Sequence, residues 1–210
     1  MIKQTYQTYD SAALDADGIA NDVAYSGGGY ALTDDGADDN LGHLITILGN
    51  AATNHSGKTF TITGTDPDDQ PQSEGIAGPN GVATVTTTKY FKTVTSVTVS
   101  ATTNADTFDI GWTAAAVGAM IYPQDSRSPS INIGIFCRVP SGTPGYGVQY
   151  TADATPAGID NTTSWLAHAT IASKTATCAG TITAPILAFR LIFSAAGPVN
   201  MTVLEAINVG

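Results

Sequence analysis

Thr84–Thr103, TVTTTKYFKTVTSVTVSATT, contains nine threonines in twenty residues and no acid, histidine or cysteine. That composition excludes most folds for this region. Thr and Val are stiff at χ1, which disfavours helix and suits a pleated surface. Their alternation places Val97 and Val99 on one face and Thr98 and Ser100 on the other. The same period of two recurs along the chain: His43–Gly49 sets Ile45 and Ile47 opposite Leu44, Thr46 and Leu48, and Lys58–Gly64 sets Phe60 and Ile62 against threonines.

Ten strands follow from this pattern, at His43–Gly49, Lys58–Gly64, Val82–Thr88, Val94–Ser100, Asp106–Trp112, Ile131–Val139, Tyr146–Asp153, Ser164–Thr170, Ile186–Ser194 and Val199–Ala206. Inward rows are expected at Ile131, Ile133, Ile135, Cys137 and Val139, at Leu187, Phe189, Leu191 and Phe193, and at Val199, Met201 and Val203. TDPDDQP (65–71) and GPNG (78–81) supply turn chemistry, and AAGPVN a hairpin loop. No ten-residue segment has helical periodicity with caps. The expected fold is all-β, with two β-sandwich modules of jelly-roll or Ig-like type and an extended N-terminal arm.

The expected domain plan has four parts. Residues 1–40 form the arm and an acidic loop region. Residues 41–115 form the first module, which can take in part of 11–40. Residues 116–130 are a linker, and 131–210 form the second module. The arm, Met1–Asp10, carries Ile2, Tyr6 and Tyr9 as its only large apolar side chains. It reads either as a solvated tail or as an arm lying on a neighbouring subunit, with those three residues as the interface.

Charge is sparse and lopsided. Only 12% of the 210 residues are charged, about half the usual share for soluble domains. Residues 1–80 hold twelve acids and two lysines; residues 81–210 hold six acids and six bases. The whole net charge of −10 therefore lies in the first 80 residues. It repels nucleic acid, and no basic stripe with interleaved aromatics exists to offset it. It suits solubility, docking onto a basic protein surface, or a cation site. MIKQTYQTYDSAALDADG has no apolar core, so no secretory leader is expected, and no run reaches the length of a membrane helix.

Reactive chemistry is hard to find. His43, His55 and His168 have no ligand spacing, and a strand or turn surface is expected for each. HExxH, GxSxG and P-loop patterns are absent. DDGADDN (34–40) and DPDDQ (66–70) offer carboxylates for a cation, yet neither has EF-hand spacing, and Asp in turns bonds its own backbone. SWLAH (164–168) with Tyr146 and Tyr150 could present an aromatic sugar platform. Two cysteines are too few for a disulfide framework; a buried thiol is expected at Cys137, with a Cys137–Cys178 bridge as the alternative. No catalytic, cofactor or metal residues are assigned.

Phe60–Ser100, FTITGTDPDDQPQSEGIAGPNGVATVTTTKYFKTVTSVTVS, resembles a pattern in virion structural proteins of tailed bacteriophages. There a T-x-T-G-T-D strand leads to a turn, an acid-containing strand, a G-P-N-x-G turn and then KYFKTVTSVTVS or a variant. YGVQYTAD, SWLAHATI and APILAFRLIFSAAGPVNMTVLEA (184–206) are similar to a second such module, keeping Arg190 but placing Ile186 and Leu187 where Val-Arg is common. The resemblance covers about two thirds of the chain. It implies a non-enzymatic capsid decoration (cement) protein on the virion surface, assembled in the host cytoplasm. Its expected partners are the major capsid protein and further copies of itself, most simply as a trimer, with no nucleic acid and no membrane. A tail, neck or fibre-base component and a host-glycan-binding module are the alternatives.

Overall fold

A computed structural model describes residues 2–123, 132–152 and 165–206. The fold is all-β and of sandwich type: fourteen strands form antiparallel pairs, and no helix occurs among the described residues. The chain divides into two compact units, Ala13–Ala116 and a second built from Met1–Ala12 with Val117–Gly210. The first unit is thus inserted, in chain order, between the first strand and the remainder of the second. The sequence pattern grouped residues 1–40 together; the chain instead divides at 12/13.

In the inserted unit, β2 (Asp15–Ala24), β8 (Thr107–Val117), β3 (Gly42–Gly49) and β6 (Thr84–Phe91) lie side by side. They face β5 (Pro71–Ala77), β4 (Thr59–Thr65) and β7 (Thr93–Val99). Ile45, Ile47, Phe108 and Ile110 from one layer meet Phe60, Ile62 and Val97 from the other. Tyr30 stacks on Phe60 at 5.7 Å between ring centroids and meets Phe108 edge-on at 5.5 Å. Each such buried side chain stabilises the fold by about 1.5–3 kcal/mol relative to exposure, so this cluster holds the two layers together.

The threonine-rich stretch changes layer rather than turning back. Strand β6 runs on to Phe91, and after Lys92 the chain enters β7 in the opposite sheet. Gly64 makes this crossing feasible: a Cβ there would lie 1.9 Å from the carbonyl oxygen of Thr93, where a register shift lets the strands approach. Glu74 on β5 closes the gap on the other side. Its carboxylate accepts from the Thr88 N–H (2.9 and 3.1 Å), the Thr88 hydroxyl (2.8 Å) and the Lys89 N–H (2.8 Å) on β6.

In the second unit, β1 (Ile2–Ser11), β14 (Gly197–Ala206), β9 (Ile133–Arg138) and β12 (Cys178–Ile182) form one sheet. A second contains β11 (Leu166–Ala167), β10 (Gly145–Thr151) and β13 (Ala188–Ala195). Ile133, Ile135, Cys137, Val199, Met201, Val203, Phe189, Leu191 and Phe193 of the expected inward rows are all buried, whereas Val139 and Leu187 are only partly buried and lie just outside β9 and β13. Ile131 of the first row and the 124–130 part of the expected linker lie outside the described residues. The rest of that linker is split: β8 extends through Val117, and Ile121 bridges to Phe189.

The segment expected as an arm is strand β1. All ten of its residues pair with β14, from Ile2–Ala206 to Ser11–Gly197. Pairing engages the backbone groups on its β14 side within the chain, which a solvated tail would leave to water. Strands β2 and β12 have no counterpart in the expected pattern; β5 stands where the resemblance puts an acid-containing strand between two turns, although the period of two did not mark it.

Candidate protein-binding face

Paired residues of neighbouring antiparallel strands point to the same side of a sheet. The register of β1, β14, β9 and β12 therefore builds continuous rows across four strands. Tyr6 pairs with Thr202, Thr202 with Phe136, and Phe136 with Ala179. The next row runs Gln4, Leu204, Gly134, Thr181. Both rows face outward. Ile2, Tyr6, Phe136 and Leu204 are 72%, 58%, 42% and 43% exposed, four of the eight large apolar side chains exposed among the described residues. Gly134 keeps the surface low beside Leu204, whose Cβ would be 3.7 Å from a Cβ at that position. Thr8, Asn200 and Arg138 make a polar third row, and Asp10 lies beyond it.

Of the three expected interface residues, Ile2 and Tyr6 share this outer face. Tyr9 does not. It sits an odd number of residues from Tyr6, so it points inward and packs on Phe193 at 6.2 Å. Burial, helped by the neighbouring Cys137, pushes its hydroxyl well above the usual tyrosine range. Phe136 and Leu204 were placed on the outward sides of their strands by alternation alone; their alignment with Tyr6 comes from the register.

The histidines are not on the surface. All three are buried, each held by hydrogen bonds. His43 Nδ1 donates to the Thr113 carbonyl oxygen at 2.8 Å, and its Nε2 meets Asp39 Oδ2 at 2.8 Å. His55 Nε2 donates to Asp106 at 2.9 Å, and its Nδ1 accepts from Lys58 Nζ at 3.1 Å; Lys58 also donates to the Thr102 carbonyl oxygen. A hydrogen bond from Thr53, with those from His55, holds the Asp106 carboxyl below the usual range. His168 donates from Nε2 to the Thr181 carbonyl oxygen and accepts at Nδ1 from the amides of Thr170 and Ile171. These rings tie loops to strands. An acid four residues before His43 and a lysine three residues after His55 were the available sequence signals.

The acidic segments separate by role. Asp34, Asp35 and Asp38 bring carboxylate oxygens within 4.8 Å of one another and are exposed. Asp35 and Asp38 line a shallow cleft of about 360 Å³ with Lys92. Asp39, from the same run, turns away to His43. Asp66 caps its own turn, accepting from the amides of Asp68 (2.9 Å) and Gln70 (2.8 Å), and Asp69 pairs with Lys92 at 2.8 Å.

The aromatic platform does not assemble from the described residues. Tyr146 is buried and donates to the Ala176 carbonyl oxygen at 2.7 Å. Trp165 lies under the Arg190 guanidinium, 4.0 Å from the ring centroid. Tyr150 meets His168 edge-on beside a cleft of about 170 Å³. Ser164 lies outside the described residues. Arg190 itself is buried and donates to Gln149 Oε1, so it braces β10 and β13.

Charge follows the two units. Ala13–Ala116 holds thirteen acids and three bases, a net of −10; the other unit holds five of each. The outer face of its four-stranded sheet bears one acid, Asp10, and one base, Arg138, among the described residues. No protein family, no curated protein and no solved structure matches this chain.

Proposed function

We propose that this chain is a non-enzymatic building protein of a large assembly, of the capsid decoration type that its sequence resembles. The observation that carries the reading is the outward patch of Ile2, Tyr6, Phe136 and Leu204, spread over three adjacent strands of an electrically balanced sheet face. Contiguous apolar surface of this kind marks a contact with another protein. A second copy of this chain is its occupant. The face brings none of the repulsion that the −10 unit would bring to a like partner. The product is a closed homo-oligomer, with a trimer as the expected state. The acid-rich unit then meets a basic patch on the coat lattice, and repeated weak contacts add through avidity.

Further support comes from the fates of the polar side chains. The buried histidines, Asp39, Asp106 and Arg190 are engaged in bracing loops and strands. The Phe60–Ser100 resemblance supplies the assignment to a phage particle. Cryo-EM of an assembled particle that contains this chain tests it. Many copies spread over the shell support decoration. A few copies at one vertex would move the chain to the tail, neck or fibre base. Absence from shell and appendages alike would end the reading. Deleting residues 1–10 is a poor probe, since it strips β14 of one of its two partner strands; Tyr6→Asp changes the face and leaves the ladder intact.

A further inference from the structure

Strands β9 and β12 are antiparallel, and Cys137 and Cys178 are direct register partners. Their side chains therefore share a face. Directly opposed residues in such a ladder have Cα atoms about 4.5 or 5.5 Å apart. Both values fall within the ~4.4–6.8 Å span of a disulfide. The two thiols differ in access. Cys137 is fully buried, whereas Cys178 is part exposed, with its Sγ 3.6 Å from the Thr170 carbonyl oxygen. Burial, with Cys178 close by, pushes the Cys137 thiol up to about 12.

We propose that Cys137 and Cys178 are an oxidisable pair that closes to a cross-strand disulfide when a small-molecule disulfide reaches Cys178. The Cys178 thiolate attacks the reagent, forms a mixed disulfide and releases one thiolate. Cys137 then gives its proton to solvent, and its sulfur attacks the Cys178 sulfur and expels the second thiolate. Two protein thiols lose two electrons and two protons; one reagent disulfide is reduced to two thiols. Burial of Cys137 makes the second step the slower one, and it is independent of reagent concentration because it is intramolecular.

The test uses the native full-length chain and 5,5′-dithiobis(2-nitrobenzoate). Wild type is expected to release two nitrothiobenzoate anions per chain in two phases, the first dependent on reagent concentration and the second not. The product retains no adduct, is 2 Da lighter than the reduced chain, and yields a Cys137–Cys178 linked peptide. The bond closes a ring of about forty residues and raises the unfolding temperature of its unit by roughly 5–10 °C, reversibly on reduction. Cys137→Ser is expected to release one anion and keep one adduct, and Cys178→Ser to release none while folded. A wild-type chain that releases one anion and keeps the adduct would overturn the proposal. So would two anions released with two adducts retained. The mass and peptide map of wild type decide the matter even if the Cys137→Ser variant fails to fold.

Discussion

Replacing Glu74 by alanine should loosen the inserted sandwich. Glu74 is half-buried on β5, and its two oxygens accept four hydrogen bonds from Thr88 and Lys89 on β6. These strands belong to different sheets, so the carboxylate does here what a backbone ladder does elsewhere. Hydrogen bonds to a charged acceptor contribute about 1.5–3 kcal/mol each when isolated. The four share one side chain, and Thr88 is exposed enough for water to replace part of what is lost. The net cost of Glu74→Ala is then about 2–3 kcal/mol. Glu74→Gln keeps one acceptor oxygen and should cost about 1 kcal/mol, and Thr88→Val, which removes the hydroxyl alone, about 0.5–1 kcal/mol. Urea unfolding followed by Trp112 and Trp165 fluorescence measures the totals. Amide exchange at Thr88 and Lys89 locates them, since both amides should lose protection in Glu74→Ala. For a unit of this size 1 kcal/mol is worth roughly 4–8 °C in Tm. A Glu74→Ala loss below about 0.5 kcal/mol, or unchanged protection at both amides, would refute the idea that a side chain stitches the two layers.

Gly64→Ala is expected to cost more than about 3 kcal/mol, because the new Cβ would fall on the Thr93 carbonyl and only backbone movement relieves that; thermal unfolding checks it. Asp39→Ala strands the buried His43 ring and should cost about 3–5 kcal/mol by urea titration, whereas Asp38→Ala, an exposed neighbour, should stay within about 0.5 kcal/mol. Stability should fall in alkali. Burial raises Cys137 from 9.0 to about 12 and raises Tyr9, Tyr146 and Tyr30 above 10.0. A raised acid favours the folded state below its unfolded value and withdraws that support as pH climbs toward the folded one. The decline should therefore begin near pH 9 and steepen above 10, and urea midpoints at pH 8, 9.5 and 10.5 follow it. A flat profile over that range would contradict the burial of these groups.

Much of this architecture was legible where a strand buries one face only. A period of two then appears directly, as in β4, β9 and β14. The misses have local causes. Strand β1 alternates too, but its inward residues are Lys3, Thr5, Gln7 and Tyr9, so no apolar row betrays it. Strand β2 breaks step at two bulges and at Asp22, whose φ is 50°. Strand β5 presents Gln72, Ser73 and Glu74, and its support comes from Glu74 rather than from a buried row. The buried histidines defeat a reading based on residue type, because their environment is made by partners such as Thr113 and Thr181, far away in the chain. The same limit applies to the candidate face. Alternation points Phe136 and Leu204 outward, yet only the register of β1 on β14 and of β14 on β9 sets them beside Tyr6, and those three strands are far apart in the sequence.

Sedimentation equilibrium on the full chain bears most directly on the claim that this sheet face joins copies together, with wild type compared against a Tyr6→Asp/Phe136→Asp pair. Both side chains project from strands that flank β14 without serving the core, so the variant should keep its circular dichroism and still unfold cooperatively, at a lower temperature because it no longer gains stability from association. Wild type should sediment as a closed oligomer at micromolar concentration and the variant as a monomer. Identical masses for the two proteins, whether both assembled or both monomeric, would contradict the claim.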